Sequence, residues 1–287
     1  MAKKPVVYSP AEKREFLVVK RNDLIQKSRH QLTVQEQKII LYLVSCIKPD
    51  DKDFMEHTFS IPEFCRVCGI NYDNGGNYVW IKKTVKKLCD RSTWITMEDG
   101  SETLFRWLDD VTISPDSTTI KMTLGKHLKP FLLKLKKNFT QFNLNFVLLM
   151  KSQYSIRLYE LLKSHAIKRR VTLDADDLKR LLDAQTYKSN YDFKRRVIEP
   201  AIEEINELSD IIISHRYIMS GRTFSEVEFF IRMKNDKERM ATFSLHEKGR
   251  WLPQKEKEKR EKEVATRMAK YGYVASSPPV PSDEDES

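Results

Sequence analysis

One order of signals runs through this chain twice, and that internal duplication constrains the fold more than any other feature. In the first stretch, Thr33-Val-Gln-Glu36 has the form of a capping box, in which a hydroxyl and a carboxylate satisfy the unpaired amides that open a helix. Ile39, Ile40, Leu43, Val44 and Ile47 follow at helical spacing as the apolar stripe of an expected amphipathic helix. A short strand is expected at Thr58 to Ile61 and a short helix from Pro62 to Gly69, with proline at its first position. A loop rich in Asn and Gly then leads to a longer helix from about Tyr78 to Asp90. Finally, Thr93 to Met97 and Leu104 to Trp107 flank Glu98-Asp-Gly-Ser101, where Asp-Gly suits a tight hairpin.

The second stretch repeats the plan. Phe146 to Ala166 contains a helix carrying Ile156, Leu158, Tyr159, Leu161 and Leu162, and Arg170 to Leu173 reads as a short strand. Asp174 caps a helix ending near Leu182, and a loop leads to a long helix from about Tyr191 to Leu208. Ile211 to Tyr217 and Val227 to Met233 flank Ser220-Gly221, again a hairpin. Helix, strand, helix, loop, helix and hairpin is the winged helix-turn-helix order, whose last helix enters a major groove while the hairpin lies beside it.

The expected fold class is therefore α+β: two tandem winged-helix domains related by internal duplication, with a charged, partly disordered C-terminal tail. The expected boundaries are a flexible segment at 1–15, a first domain at 16–138, a second at 139–235 and the tail at 236–287. Gly125 to Asn138, with Leu128, Phe131, Leu132 and Leu135, reads as a helix joining the two copies. After Lys234 the chain passes into alternating Lys and Glu (Lys255 to Lys262) and a Ser/Pro segment ending in Asp283, Glu284, Asp285 and Glu286. That tail is expected to be solvated or partly helical, and disordered from Ala275 onward.

Composition narrows the partners. The chain has 287 residues, enough for two domains of ordinary size, and 51 Lys+Arg against 41 Asp+Glu leave a formal charge of +10. A surplus of that kind favours a polyanion, nucleic acid or an anionic membrane. No apolar run approaches the roughly 18 to 20 residues that would span a bilayer, and Met1 to Val7 lacks the apolar core of a secretory signal. A cytoplasmic protein with no membrane partner is expected.

Several chemistries find no residues to carry them. Cys46, Cys65, Cys68 and Cys89 are too few and scattered for a disulfide framework. Cys65-x-x-Cys68 has half the spacing of a zinc site, yet no second pair follows, and both fall on the apolar side of the short helix, as buried thiols do. None of the eight glycines builds a phosphate cradle: Gly125-Lys126 is followed by His127 and preceded by Ile120 where the first glycine belongs. The six histidines never occur as His-x-His, so the paired-histidine metal site of a rolling-circle nicking enzyme has no candidate. No catalytic residue, cofactor or metal is expected.

The two long helices carry the candidate contacts. At 100° per residue, Tyr78, Trp80, Ile81, Val85, Leu88 and Cys89 share one arc, while Lys82, Lys83, Lys86 and Lys87 gather opposite. A solvated helix face is the alternative, although such faces usually mix charge signs. In the second helix Phe193, Val197, Ala201, Ile205 and Leu208 mark the buried stripe. Arg195, Arg196, Glu199 and Glu203 face outward, and Lys194 projects nearer the apolar side. Basic residues crowd its N-terminal turns and Glu203, Glu204 and Glu207 its C-terminal half, against the helix dipole, so the basic end is expected to face phosphates and base edges. Pairing with acidic neighbours is the alternative. Pro200 removes a backbone donor and should bend this helix. Lys168, Arg169, Arg170, Lys188 and Asn190 lie near the same surface and suit phosphate positioning, whereas Arg195 and Arg196 suit guanine readout. Arg106 in the first hairpin and Arg222 in the second could reach a minor groove or phosphate, or simply face solvent.

Tyr154-Ser-Ile-Arg157-Leu-Tyr159-Glu-Leu-Leu162, followed by Tyr187-x3-Tyr191-x-Phe193-Lys-Arg-Arg196-Val-Ile-Glu-Pro200-Ala-Ile-Glu-Glu-Ile-Asn206, resembles the initiator Rep proteins of theta-replicating plasmids. Val19-Lys-Arg-Asn-Asp-Leu-Ile25 and Leu32-Thr-x2-Glu-Gln-Lys38 resemble that family's opening segment, and the likeness extends over roughly Phe16 to Lys234. The resemblance implies a non-enzymatic initiator whose monomer binds directly repeated origin sites (iterons) in double-stranded DNA. A dimer in equilibrium with it, formed largely through the first domain, would act at its own promoter, and host initiator and helicase proteins would be recruited to an opened AT-rich region. Carried over by motif, Lys194, Arg195 and Arg196 fall in the main sequence-reading helix and Lys82, Lys83, Lys86 and Lys87 in an auxiliary one. The alternatives are a winged-helix transcriptional regulator without an initiator role, and a DNA-nicking or polymerising enzyme.

Overall fold

The capping box at Thr33 forms as expected: the Thr33 hydroxyl accepts from the Glu36 amide, and the Glu36 carboxylate accepts from the Thr33 amide at 2.8 Å. The helix it opens is not amphipathic, however, because every residue from Glu36 to Ser45 is buried. The computed structural model describes residues 16–29, 31–48, 51–68, 76–96, 100–116 and 118–248. Over these the first half runs β1 (Leu17–Arg21), α1 (Asn22–Lys27), α2 (Val34–Ser45), β2 (His57–Ser60), α3 (Ile61–Cys68), α4 (Gly76–Asp90), β3 (Ser92–Thr96), β4 (Glu102–Arg106), β5 (Leu108–Ile113) and β6 (Thr119–Leu124). It continues through α5 (Lys129–Leu132), β7 (Phe139–Asn143), α6 (Asn145–Leu148), α7 (Gln153–Ser164), β8 (Arg170–Asp174) and α8 (Ala175–Leu181). The second long helical segment is α9 (Asn190–Phe193), a wide π turn (Lys194–Ile198) and α10 (Glu199–Leu208); β9 (Ile211–Ser220), β10 (Thr223–Met233) and α11 (Asp236–Lys248) follow.

The duplication is visible in the sheets. One has the order β2-β6-β5 and the other β8-β10-β9, all antiparallel, so in each the short strand after the first helix pairs with the last strand of a hairpin. This alignment corrects the reading of the first hairpin. β3 and β4 do pair, Trp94 opposite Leu104, but as a separate two-stranded ribbon; the counterpart of the β9–β10 wing is β5–β6. Its turn carries no Asn-Gly or Asp-Gly signal. Instead the Asp116 carboxylate accepts from the Ser114 hydroxyl at 2.5 Å and the Thr118 hydroxyl at 2.8 Å, which holds its pKa below the usual carboxylate value. The β9–β10 reversal needs only Gly221 and Arg222, with Gly221 at φ 64° and Ser220 paired to Thr223.

The expected joining helix at 125–138 is mostly absent. A 3-10 turn at Lys126–Leu128 and the single turn of α5 end where Lys134 and Asn138 adopt left-handed φ of 52° and 54°. Gly125 is required for another reason: a Cβ there would stand 2.0 Å from the Arg106 carbonyl oxygen. β7, a strand not expected from the sequence, lies at the start of the span 139–235 and pairs with β1.

The centre is α7. Ile156, Leu158, Tyr159, Leu161 and Leu162, the five apolar residues expected on this helix, are all at most 1% exposed, each contributing on the order of 1.5–3 kcal/mol of burial. Several of its polar residues have fixed partners. Arg157 donates to the carbonyls of Ile25 (2.6 Å) and Ser28 (2.8 Å) at the end of α1 and of Leu181 (3.2 Å) at the end of α8, where helix termini leave carbonyls unpaired. The Tyr159 hydroxyl donates to Asp210 at 2.8 Å, and Lys163 pairs with the same carboxylate. One helix thereby anchors elements of both winged-helix halves.

The chain divides into two compact units, 1–233 and 234–287. The second opens in helix α11, at the start of the span expected to be a charged, partly helical tail: the Asn235 side chain accepts from the Glu238 amide and the Glu238 carboxylate from the Asn235 amide, both at 2.9 Å. The expectations for 249–287, for 1–15 and for the Asn/Gly loop at 69–75 lie outside the described residues.

Candidate nucleic-acid interface

In α4, Ile81, Val85 and Leu88 are buried and Lys82, Lys83, Lys86 and Lys87 are exposed on the opposite side, as the spacing predicts. Trp80 and Cys89 are half-buried, and the Tyr78 side chain lies outside the described residues. The lysine face is not uniformly positive. Lys86 pairs with Asp90 one turn on at 2.6 Å, an ion pair that raises the Lys86 pKa, so the positive surface rests on Lys82, Lys83 and Lys87. Cys65 is a buried thiol pushed up to about 11 by burial; among the described residues no group of His, Cys, Asp and Glu could hold a metal.

The second candidate segment is more specialised. The Ser189 hydroxyl accepts from the Tyr191 amide and starts α9. The expected bend at Pro200 takes the form of a wide turn in which the Glu199 amide donates to the Lys194 carbonyl, five residues back. Phe193, Val197 and Ile198 are buried within it, while Arg195 and Arg196 are exposed. Each of three consecutive cations has its own support. The Lys194 ammonium lies 4.6 Å over the Tyr217 ring and 3.6 Å from Glu199; Arg195 lies 5.8 Å over Tyr191; Arg196 stands 3.6 Å from Asp192. The Tyr217 phenol is raised by burial and by Glu199. Tyr191, 66% exposed, was not anticipated, although a tyrosine four residues before an arginine on a helix was there to be read.

The remaining expected contacts separate into two groups. Lys168, Lys188 and Arg222 are exposed, the last at the tip of the β9–β10 wing. Arg169 is exposed too, with a left-handed φ of 57° and a carbonyl that accepts from Ile231 at 2.8 Å. Asn190 is committed elsewhere: its side chain donates to the Phe224 carbonyl at 2.6 Å and accepts from Lys179 at 2.5 Å, fastening α9 to β10 and α8 rather than facing a partner. Arg170 is tied to Glu228, and so is Arg216, which sequence reasoning missed. Glu228 is fully buried on the sheet face opposite Val227 and Phe229, lying across from Arg216 in the strand register, so this carboxylate holds two exposed guanidinium groups over one face. Arg106 is exposed on β4, in the extra ribbon rather than in the first wing. A groove of about 460 Å³ that includes Arg29, Arg91, Arg180 and the exposed Trp94 was also not foreseen.

Two helix–strand–helix–helix–wing units with basic outer helix faces define a tandem winged-helix protein. The chain matches the family model described as initiator replication protein, WH1, over residues 17–163 and that described as initiator Rep protein, WH2, over 174–231. It belongs to the initiator replication protein family, as the Tyr154 and Tyr187 motifs indicated. A replication initiation protein of Escherichia coli is 28% identical over 214 residues, covering 69% of this chain; the chain spans 64% of that relative's length. Among solved structures, the Pi initiator protein, crystallised in complex with iteron DNA, shares the fold with a TM-score of 0.63 and 20% identity over 78% of this chain and 99% of that one.

Proposed function

We propose that this chain initiates plasmid replication by binding repeated origin sequences in double-stranded DNA, with the Lys194–Arg196 helix as the reader and α4 as an auxiliary backbone contact. The observation that carries this is the exposed Arg195-Arg196 pair at the N-terminal end of a recognition helix, opposite a buried stripe and beside a wing tipped by Arg222. Arginine is the usual bidentate partner of guanine, and lysines such as Lys83 and Lys87 suit phosphates. The family membership and the iteron complex of the Pi protein support the same reading.

In this reading residues 16–138 and 139–235 act as auxiliary and main DNA-contact domains. A monomer engages the repeats, a dimer in equilibrium with it acts at the chain's own promoter, and host initiator and helicase proteins join the opened origin in the cytoplasm. The role is not enzymatic. Among the described residues no helix is long and apolar enough to cross a membrane, and the positive surface finds its polyanion in DNA.

Two assays test this. A plasmid carrying the origin and the gene should be lost when Arg195 and Arg196 are both replaced; retention with only promoter control altered would favour a transcriptional regulator. Supercoiled origin DNA incubated with pure protein and Mg²⁺ should stay uncut, and nicking would establish the enzyme alternative.

A further inference from the structure

We infer that Pro200 is a positioning residue for sequence recognition: by holding the wide turn at Lys194–Ile198 it sets the direction in which Lys194, Arg195 and Arg196 leave the helix. The inference rests on the DNA-reading role proposed above, because what it positions is that role's three cations.

The geometry begins with the buried face of α10. Ala201, Ile202 and Ile205 are at most 5% exposed and fix where the core lies. Counting back at about 100° per residue, a regular α-helix would bring Lys194 to the centre of that face and carry Phe193 about 100° away from it. The structure shows the reverse: Phe193 is fully buried, whereas Lys194 is only half-buried and rests on Tyr217. The difference is one extra residue, inserted where the Glu199 amide reaches the Lys194 carbonyl instead of that of Arg195. The insertion also accounts for consecutive buried side chains at Val197 and Ile198, both at most 1% exposed.

Pro200 sits one residue past that bond. It has no amide to give the Arg196 carbonyl, and its ring collides with that carbonyl in a regular helix, so a widened turn just before it relieves both problems. The same widening rotates the basic triplet by about one residue's worth against the packed part of the helix. Tyr191 and Asp192, which support Arg195 and Arg196, lie on the N-terminal side of the insertion and turn with them.

The test is Pro200→Ala in the full chain, which restores an amide at 200 and favours a regular helix. Binding is measured to a duplex carrying the origin repeat and to a random duplex of equal length, alongside a thermal melt. The expected result is a melt no lower than the parent's, random-duplex affinity within about twofold, and repeat affinity at least tenfold weaker. An unchanged ratio of repeat to random binding would overturn the inference. So would equal losses on both duplexes or a lower melt, since Pro200 would then hold the fold rather than aim the cations. A parent protein with no preference for any repeat would instead sink the initiator reading itself, before a variant is made.

Discussion

Lys20 on β1 and Glu160 on the central helix α7 meet at 2.6 Å with both side chains 3% exposed, joining residues 140 positions apart. Burial lowers the Lys20 pKa and the Glu160 carboxylate opposes that shift. Removing one member strands a buried charge, so Lys20→Met or Glu160→Leu is expected to destabilise the fold by about 3–5 kcal/mol, whereas the double replacement should cost much less than the sum. Denaturant titration of the two singles and the double measures the coupling; strictly additive losses would show that the pair does not act as a unit.

Arg195→Ala and Arg196→Ala should each weaken binding to origin DNA by about 1–3 kcal/mol and flatten the preference among base substitutions at the contacted positions. Titrations against a panel of single-base variants give the answer. Equal weakening on every sequence would assign both arginines to phosphates.

Lys83→Ala and Lys87→Ala should reduce affinity for all sequences and make the slope of log affinity against log salt shallower by about one unit for each phosphate no longer neutralised. Lys86→Ala should do less, because Asp90 already neutralises part of its charge. A slope identical to the parent's for the Lys83 and Lys87 variants would place that face away from DNA.

His57, His165 and His215 are each held below the ordinary histidine value of 6.5, chiefly by burial. As pH falls through 6.5 the unfolded chain binds protons first, so the stability these residues contribute is complete above 6.5 and declines below it. Thermal melts should therefore fall between pH 7.5 and 5.5, and His165→Gln should make the decline less steep. Melts that stay level across that interval would contradict the assignment.

Much of this architecture is legible in the residues because several signals are local. The Thr33-x-x-Glu36 box, the Asp174 cap and the Gly221 reversal each depend on atoms only a few residues apart. The first wing was missed because β5 opens with Leu108-Asp-Asp and its turn is built by the Asp116 side chain, so neither alternation nor a glycine marks it. α2 looked amphipathic because periodicity cannot show that Lys38 and Gln37 are also covered; Gln37 donates to the Gln153 carbonyl, 116 residues away. The basic arcs of α4 and of the second long helix followed from spacing alone. The commitment of Asn190 to Phe224, the sharing of Glu228 by Arg170 and Arg216, and the extra residue before Pro200 did not, because each depends on a partner or a turn that only the folded chain brings into place.

Hydroxyl-radical footprinting of the full chain on the DNA flanking its own gene shows whether the two helices engage one duplex together. A repeated protection pattern is expected, in which each repeat shows two protected patches on one side of the duplex, about one helical turn apart, as two successive DNA-contacting helices require. Removing Arg195 and Arg196 should erase the pattern while leaving salt-sensitive binding in place. Uniform protection without a repeat, or a repeated pattern that survives loss of both arginines, would contradict the proposed DNA-reading role.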